Sequence, residues 1–253
     1  MNWKAGLFIV AVVAAGALFY VLNKAESDAG TSLGGPDTAL QQPSEVQRET
    51  LDQHPEVTQS PLIPPPATLE ESDAASTRAL TDLSPRLTQW LVPDSQIRKW
   101  VMLVDQIADG SIPAEHRPLN FPMPALKTRR ADDKLILDSS NYARADALID
   151  TVTEISPARL AAYYRDWRPL LDEAYGALGR GGDFDRRLRI AIGRVLAVKP
   201  PPREPELKQP SVYYTFADER YEKASGVDKF MWRLGPENML RVQSYLRQLE
   251  PLL

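Results

Sequence analysis

Apolar positions are distributed along the chain in three regimes. From Ala5 to Leu22, AGLFIVAVVAAGALFYVL, eighteen consecutive residues carry no charge. From Ala25 to about Leu83 apolar residues are sparse and follow no period. Beyond that they recur at intervals of three and four, the period of helices with one buried face.

In this last regime the pattern predicts a succession of helices. Leu80, Leu83, Leu87, Trp90 and Leu91 follow a helical spacing broken at Ser84-Pro85, where Ser84 can cap a new helix opened by Pro85. Ile97, Trp100, Val101, Val104, Ile107 and Ala108 mark a helix over Asp94–Asp109, with Asp94 as N-cap and Gly110 as stop. Four prolines keep Ser111–Pro124 irregular, and Leu126–Arg130 with Lys134–Leu137 flank Ala131-Asp132-Asp133 as one small β-hairpin. Ser139 or Ser140 can cap a helix over Asn141–Ile155. The longest stripe, Leu160, Tyr163, Tyr164, Trp167, Leu171, Ala174, Tyr175 and Leu178, follows Ser156-Pro157 and should kink or split at Pro169. Asp183 caps the next helix, with Phe184, Leu188, Ala191, Ile192 and Val195 inward. Lys199–Pro210 reads as a proline-rich strap and Ser211–Phe216 as a short extended piece entering a helix over Ala217–Ala224. Val227, Phe230, Met231 and Leu234 then form a short helix ended by Gly235, and Pro236 opens the last, with Met239, Val242, Tyr245, Leu246 and Leu249 inward. The fold class is mainly α: one N-terminal transmembrane helix, a disordered linker and a compact helical domain. The expected boundaries are 1–24 for the anchor, 25–78 for the linker and 79–253 for the domain.

The first regime sets the compartment. An 18-residue helix is about 27 Å long, close to the ~30 Å hydrocarbon thickness of a bilayer. Lys4 and Lys24 bracket the span, and Trp3 and Tyr20 stand near its two ends. Its length, and the immediate Asn23-Lys24, favour an uncleaved anchor over a cleaved signal. A short N-terminal tail ahead of one long domain fits an N-in orientation. The chain is thus expected in a bacterial inner membrane through residues 5–22, with its C-terminal domain in the periplasm. Ala11 and Ala15 form a small-xxx-small pair that would let two such helices pack closely.

Composition sharpens the other two regimes. The net charge of −4 divides into +2 from Lys4 and Lys24, −9 over Ala25–Leu83 and +3 from Ser84 onward, so an acidic tether precedes a mildly basic domain. The tether has no aromatic residue and seven prolines, a composition that cannot offset the entropy of ordering. As a flexible chain it would reach on the order of 40 Å. Pro61-Leu62-Ile63-Pro64 fits PxxP formally, although a spacer is the simpler reading.

The absence of cysteine excludes disulfides and thiolate chemistry. With only His54 and His116, a serine-histidine triad or a multi-histidine metal site is nearly excluded, and neither a cofactor nor a metal is expected. Gly179-Arg180-Gly181-Gly182-Asp183 reads as a helix stop followed by a cap rather than an anion cradle. Arg180, Arg186, Arg187, Arg189 and Arg194 form a basic cluster, read as a solvated face, and nucleic acid is not an expected partner. Two features rise above background as candidate binding residues. Arg168 with Asp172 makes an i, i+4 pair, joined by Tyr142 and Arg144, and Arg233 and Asn238 flank Leu234-Gly235-Pro236-Glu237.

Several segments resemble a proteobacterial domain-of-unknown-function family, number 3014: Trp100–Asp109, Tyr142-Ala143-Arg144, Arg168–Gly179, Phe184–Ala197, Gln209–Asp218 and Arg233–Asn238. The resemblance covers about 150 residues in the family's order and implies a membrane span, a variable linker and an α-rich domain, with no activity attached. The resemblance implies an acidic-His pair where this chain has Gly193-Arg194 or their immediate neighbours, so any chemistry resting on that imidazole is missing here. The expected function is an interaction or scaffold module with a protein partner in the envelope. The alternative is an enzyme acting on cell-wall glycan through carboxylates such as Asp172-Glu173 or Asp218, Glu219 and Glu222.

Overall fold

The computed structural model describes residues 62–200 and 205–253. The span expected at 5–22 and most of the expected linker lie outside the described residues. Among the described residues no helix is long and apolar enough to cross a membrane.

Eight α-helices and four short strands make up the described chain: α1 (Ser72–Leu83), α2 (Gln96–Ala108), β1 (Thr128–Ala131), β2 (Lys134–Leu137), α3 (Asp146–Thr153), α4 (Pro157–Gly176), α5 (Phe184–Ala197), β3 (Glu206–Lys208), β4 (Thr215–Phe216), α6 (Glu219–Glu222), α7 (Gly226–Leu234) and α8 (Pro236–Leu249). Three 3-10 segments join them, Pro85–Trp90, Ser139–Ala145 and Glu250–Leu252. The stripes read from the sequence are the buried faces: Ile97, Trp100, Val101, Val104, Ile107 and Ala108 on α2, and Phe184, Leu188, Ala191, Ile192 and Val195 on α5. On the α4 stripe Leu160, Tyr163, Tyr164, Trp167, Leu171, Ala174 and Tyr175 are buried. Leu178 is exposed, because α4 ends before it. α2 packs along both α4 and α5, and α8 closes the bundle against α3, α4 and α5.

The hairpin is present and belongs to a larger sheet. β1 and β2 pair antiparallel through a turn in which Asp132 and Asp133 both take positive φ. β3 then pairs with β2 and β4 with β3, giving a four-stranded antiparallel sheet in sequence order. β3 falls inside the segment read as a strap, and its three residues are too few to carry an alternation signal. Leu126, Leu137, Leu207 and Phe216 form a second, smaller core beneath the sheet, joined to the main core by Trp232.

Four local expectations are corrected. Residues 62–78, expected in the linker, hold ordered structure among the described residues, and Leu69, Ala75, Ala79 and Leu80 lie in the main core. The polar composition of this stretch hides a helix whose inner face is small residues and serines, Ser72 and Ser76 among them. α2 starts at Gln96 rather than Asp94, and its cap comes from another helix: the Ser95 and Gln96 N–H groups donate to the Asp73 carboxylate at 2.8 and 2.9 Å. In place of Ser139 or Ser140, Asp138 caps the 3-10 turn by accepting from Ser140 N at 2.8 Å. Pro169 neither splits nor ends α4, which runs from Pro157 to Gly176 with Pro169 at an exposed position.

The basic cluster also differs from a solvated face. Arg187 Nε donates to Asp105 Oδ1 at 2.6 Å and its Nη2 to the Asp105 carbonyl at 2.7 Å, and it pairs with Asp109 at 2.5 Å. Arg180 reaches the same two carboxylates at 3.1 and 3.2 Å, and Arg194 Nε donates to the Ala108 carbonyl at 3.1 Å. Three arginines thus bind the C-terminal end of α2, where carbonyls and the negative end of the helix dipole favour cations. Arg189 pairs with Asp185 at 2.9 Å.

Candidate functional site

The turn between α7 and α8 organises a polar cleft. Gly235 ends α7 at φ 85 and ψ 163, a region open essentially to glycine alone, and Pro236 opens α8. The Tyr142 ring lies directly over this turn: a Cβ at Gly235 would come within 2.6 Å of Tyr142 Cδ1 and 2.7 Å of its Cβ. One turn into α8, the buried Asn238 turns toward the same neighbour. Its Nδ2 donates to the Tyr142 carbonyl at 3.0 Å and to Asp146 Oδ1 at 2.7 Å. Its Oδ1 accepts from Arg241 Nη1 at 3.0 Å, and Arg241 Nη2 donates to Asp150. The 3-10 turn, α3 and α8 are therefore stitched together by one polar chain.

Between these elements opens a cleft of about 400 Å3, lined by Ser139, Tyr142, Asp146, Asp150, Glu237 and Arg241, with Ala143 and Asn238 also contributing. Three carboxylates against one guanidinium give it an acidic bias, and Glu237 has no hydrogen-bond partner among the described residues.

Arg144 and Arg233 stand behind this cleft and do not line it. Arg233 is 4 % exposed, with its guanidinium 5.1 Å from the Phe216 ring centroid. Burial pulls it down to about 10, opposed by Glu222 and reinforced by the neighbouring charge of Arg144. Burial likewise pulls Arg144 down to about 10, while its Nη1 donates to Asn141 Oδ1 at 3.3 Å and its Nη2 to the Pro124 carbonyl. Asn141 in turn exchanges hydrogen bonds with the Lys127 backbone at 2.8 and 2.6 Å. These two arginines brace the turn and the small sheet core from behind.

Arg168 and Asp172 lie elsewhere. Arg168 Nε meets Asp172 Oδ2 at 3.3 Å on α4, and Asp172 Oδ1 accepts from Phe184 N at 3.2 Å, the first residue of α5. Tyr164 donates to Asp185 at 2.7 Å beside them, and burial followed by that hydrogen bond pushes its hydroxyl far above the ordinary tyrosine range. This pair joins two helices. Of the six candidates, Tyr142, Arg144, Arg233 and Asn238 are brought to one turn, two of them at the cleft, and Arg168 and Asp172 are not.

Asp146, Asp150, Glu237 and Arg241 were not singled out from the sequence. Asp146 and Asp150 at i, i+4, and Asn238 and Arg241 at i, i+3, were a readable signal that each pair shares a helix face. That the two faces meet depends on tertiary pairing and was not readable.

Of the carboxylates considered for catalysis, all but Glu173 have fixed partners, Asp172 being the one held by Arg168 and by Phe184 N. Asp218 binds Arg220 at 2.6 Å, and that hydrogen bond holds it below the ordinary carboxylate range. Glu219 binds Lys223 at 2.6 Å, and Glu222 binds Lys229 at 3.0 Å while accepting from Phe216 N at 2.9 Å. Among the described residues no three His, Cys, Asp or Glu side chains group to hold a metal ion.

No curated protein and no solved structure matches the chain. A family model described as "Protein of unknown function (DUF3014)" matches residues 96–250, from the first residue of α2 into the last 3-10 turn. The match leaves out α1 and the proline-rich residues before it, which nonetheless supply part of the core. It spans more than half of the 253 residues, and the chain belongs to this DUF3014 family.

Proposed function

We propose that the chain is a single-pass, membrane-anchored envelope protein whose helical domain is an interaction module, with the acidic cleft between α3 and α8 as its recognition site. The observation that carries this reading is the cleft's construction. Its polar groups are pre-positioned by hydrogen bonds from Asn238 and Arg241, as a recognition surface requires. Most of the carboxylates that an enzyme could use are instead tied up in ion pairs, Asp172 with Arg168, Asp218 with Arg220, Glu219 with Lys223 and Glu222 with Lys229.

The eighteen-residue apolar span at Ala5–Leu22 supports the anchor, and the short tail before it supports an N-in orientation in an inner membrane. The protein partner would then be met in the periplasm. Two experiments test the two halves. A reporter enzyme active only in the periplasm, fused after Leu253, is expected to be active; an inactive but expressed fusion overturns the orientation. Crosslinking pull-downs with the full chain and with a chain lacking residues 1–24 should give different partner lists, and identical lists would remove the role assigned to the anchor.

A further inference from the structure

The residues ahead of α1 build a second cleft that shares no lining residue with the first. Ile63 packs against the main core and is tied to α4 by its backbone: its N–H donates to Tyr163 Oη at 3.1 Å, and its carbonyl accepts from Trp167 Nε1 at 3.0 Å. Tyr163 is itself fixed by donating to Asp82 at 2.7 Å. The three prolines that follow have restricted φ, so pinning Ile63 sets the path of Pro64-Pro65-Pro66. Between this strap and the outer face of α4 lies an open cleft of about 520 Å3, with Leu62, Pro64, Pro65, Pro66 and Ala67 on one side and Asp166, Pro169, Leu170 and Glu173 on the other.

The chemistry of these walls is one-sided. Four of the nine lining residues are prolines and bring no backbone N–H, so the cleft is rich in apolar surface and acceptors and poor in donors. Asp166 and Glu173 are seven residues apart on α4, two helical turns and about 10 Å along the same face. Neither has an ion pair among the described residues, whereas Asp105, Asp109, Asp172 and Asp185 on the neighbouring helices and on α4 itself are all paired. The chain's own preceding segment has the wrong sign to fill the cleft, with seven acids and one arginine over residues 25–61.

We infer that this cleft docks a segment of a partner protein in which apolar side chains are flanked by lysine or arginine. The apolar groups sit between the proline strap and Leu170, and the cations reach Asp166 and Glu173. The strap, fixed at Ile63 by two side chains of α4, is a rigid wall, so little ordering cost falls on the receptor. Family resemblance begins only at residue 96, so the wall formed by residues 62–67 is a feature of this chain outside the matched region.

The test uses the full chain in detergent micelles and two fluorescein-labelled eight-residue peptides, GLRPLRPG and GLEPLEPG, read by fluorescence anisotropy. The arginine peptide is expected to bind at least about 10-fold more tightly than the glutamate peptide. Two exposed charge pairs together are worth about 3- to 10-fold, so Asp166→Asn with Glu173→Gln should weaken the arginine peptide by that factor and erase most of the preference. Ala67→Trp, at an exposed lining position, should fill the cleft and weaken the arginine peptide by at least about 10-fold while the thermal midpoint stays unchanged. Three results would each overturn the inference: no arginine-peptide binding up to millimolar concentration, equal binding of both peptides, or binding indifferent to these variants. The last would assign the binding to the acidic tether instead.

Discussion

Replacing Gly235 with alanine probes the turn on which the recognition cleft is hung. Two costs add. At φ 85 and ψ 163 the backbone occupies a region that a side chain disfavours by about 1–3 kcal/mol. The new methyl would also stand 2.6 Å from Tyr142 Cδ1 and 2.7 Å from Tyr142 Cβ, and relieving such overlap in a packed site costs about 1–3 kcal/mol more. Gly235→Ala is therefore expected to destabilise by about 2–6 kcal/mol. Urea denaturation of the full chain in mild detergent, followed by the fluorescence of its five tryptophans, measures the loss as a shift in midpoint. Tyr142→Gly in the same background removes the obstacle, Cβ included, and should restore part of that loss, leaving the backbone share. Gly193→Ala is the internal control. A Cβ there meets nothing within 4 Å, the position lies inside helix α5, and the change should stabilise by about 0.5–1 kcal/mol. A Gly235→Ala midpoint within error of wild type would refute the reasoning, since it would mean that neither the turn nor the tyrosine above it is held as described.

Further outcomes follow from the same contacts. Asp105 is almost fully buried between Arg187 and Arg180, so Asp105→Ala should cost about 1.5–3 kcal/mol in the same denaturation assay, by removing a charged hydrogen bond while Arg187 keeps Asp109 and the residue-105 carbonyl. Asp73→Ala removes the cap supplied to α2 from α1 and should cost about 1–2 kcal/mol, with the Ser95 and Gln96 amides losing hydrogen-exchange protection. A chain beginning at residue 62 should unfold cooperatively, whereas one beginning at 79 should not, because it lacks Leu69 and Ala75 from the core and the Asp73 cap. The hydrogen bond from Arg187 holds Asp109 below the ordinary carboxylate range, opposed by desolvation. Its folded value lies below its unfolded value, so its stabilisation is present above about pH 4 and disappears as pH falls through the folded value. Stability measured from pH 5 to pH 2 should accordingly fall less steeply in Asp109→Asn than in wild type.

Where one residue type repeats at helical spacing, the sequence was enough. The stripes on α2, α4, α5, α7 and α8 are the buried faces because apolar burial dominates the energetics and its period is local. Legibility ended where the partner was distant. Asp94 looked like the cap of α2, yet Asp73 does that work from a helix whose serine- and alanine-rich inner face reads as linker. Arg180 and Arg187 read as solvated because nothing local pairs them, and the carboxylate they share, Asp105, lies on α2, more than seventy residues away. At the site, Gly235-Pro236 announced a turn, and Arg233 and Asn238 were named from it. Asp146, Asp150 and Arg241 joined them only through the docking of α3 on α8, which no spacing encodes.

The recognition role of the cleft is tested most directly by photo-crosslinking in cells. A photoreactive amino acid at Ala143, an exposed cleft position, is compared with the same residue at Gly193, exposed on α5. The account predicts discrete adducts with one or a few envelope proteins from position 143, absent from position 193 and reduced by Glu237→Gln. Adducts of equal pattern from both positions, or none from 143 in a stably folded, correctly inserted protein, would contradict it.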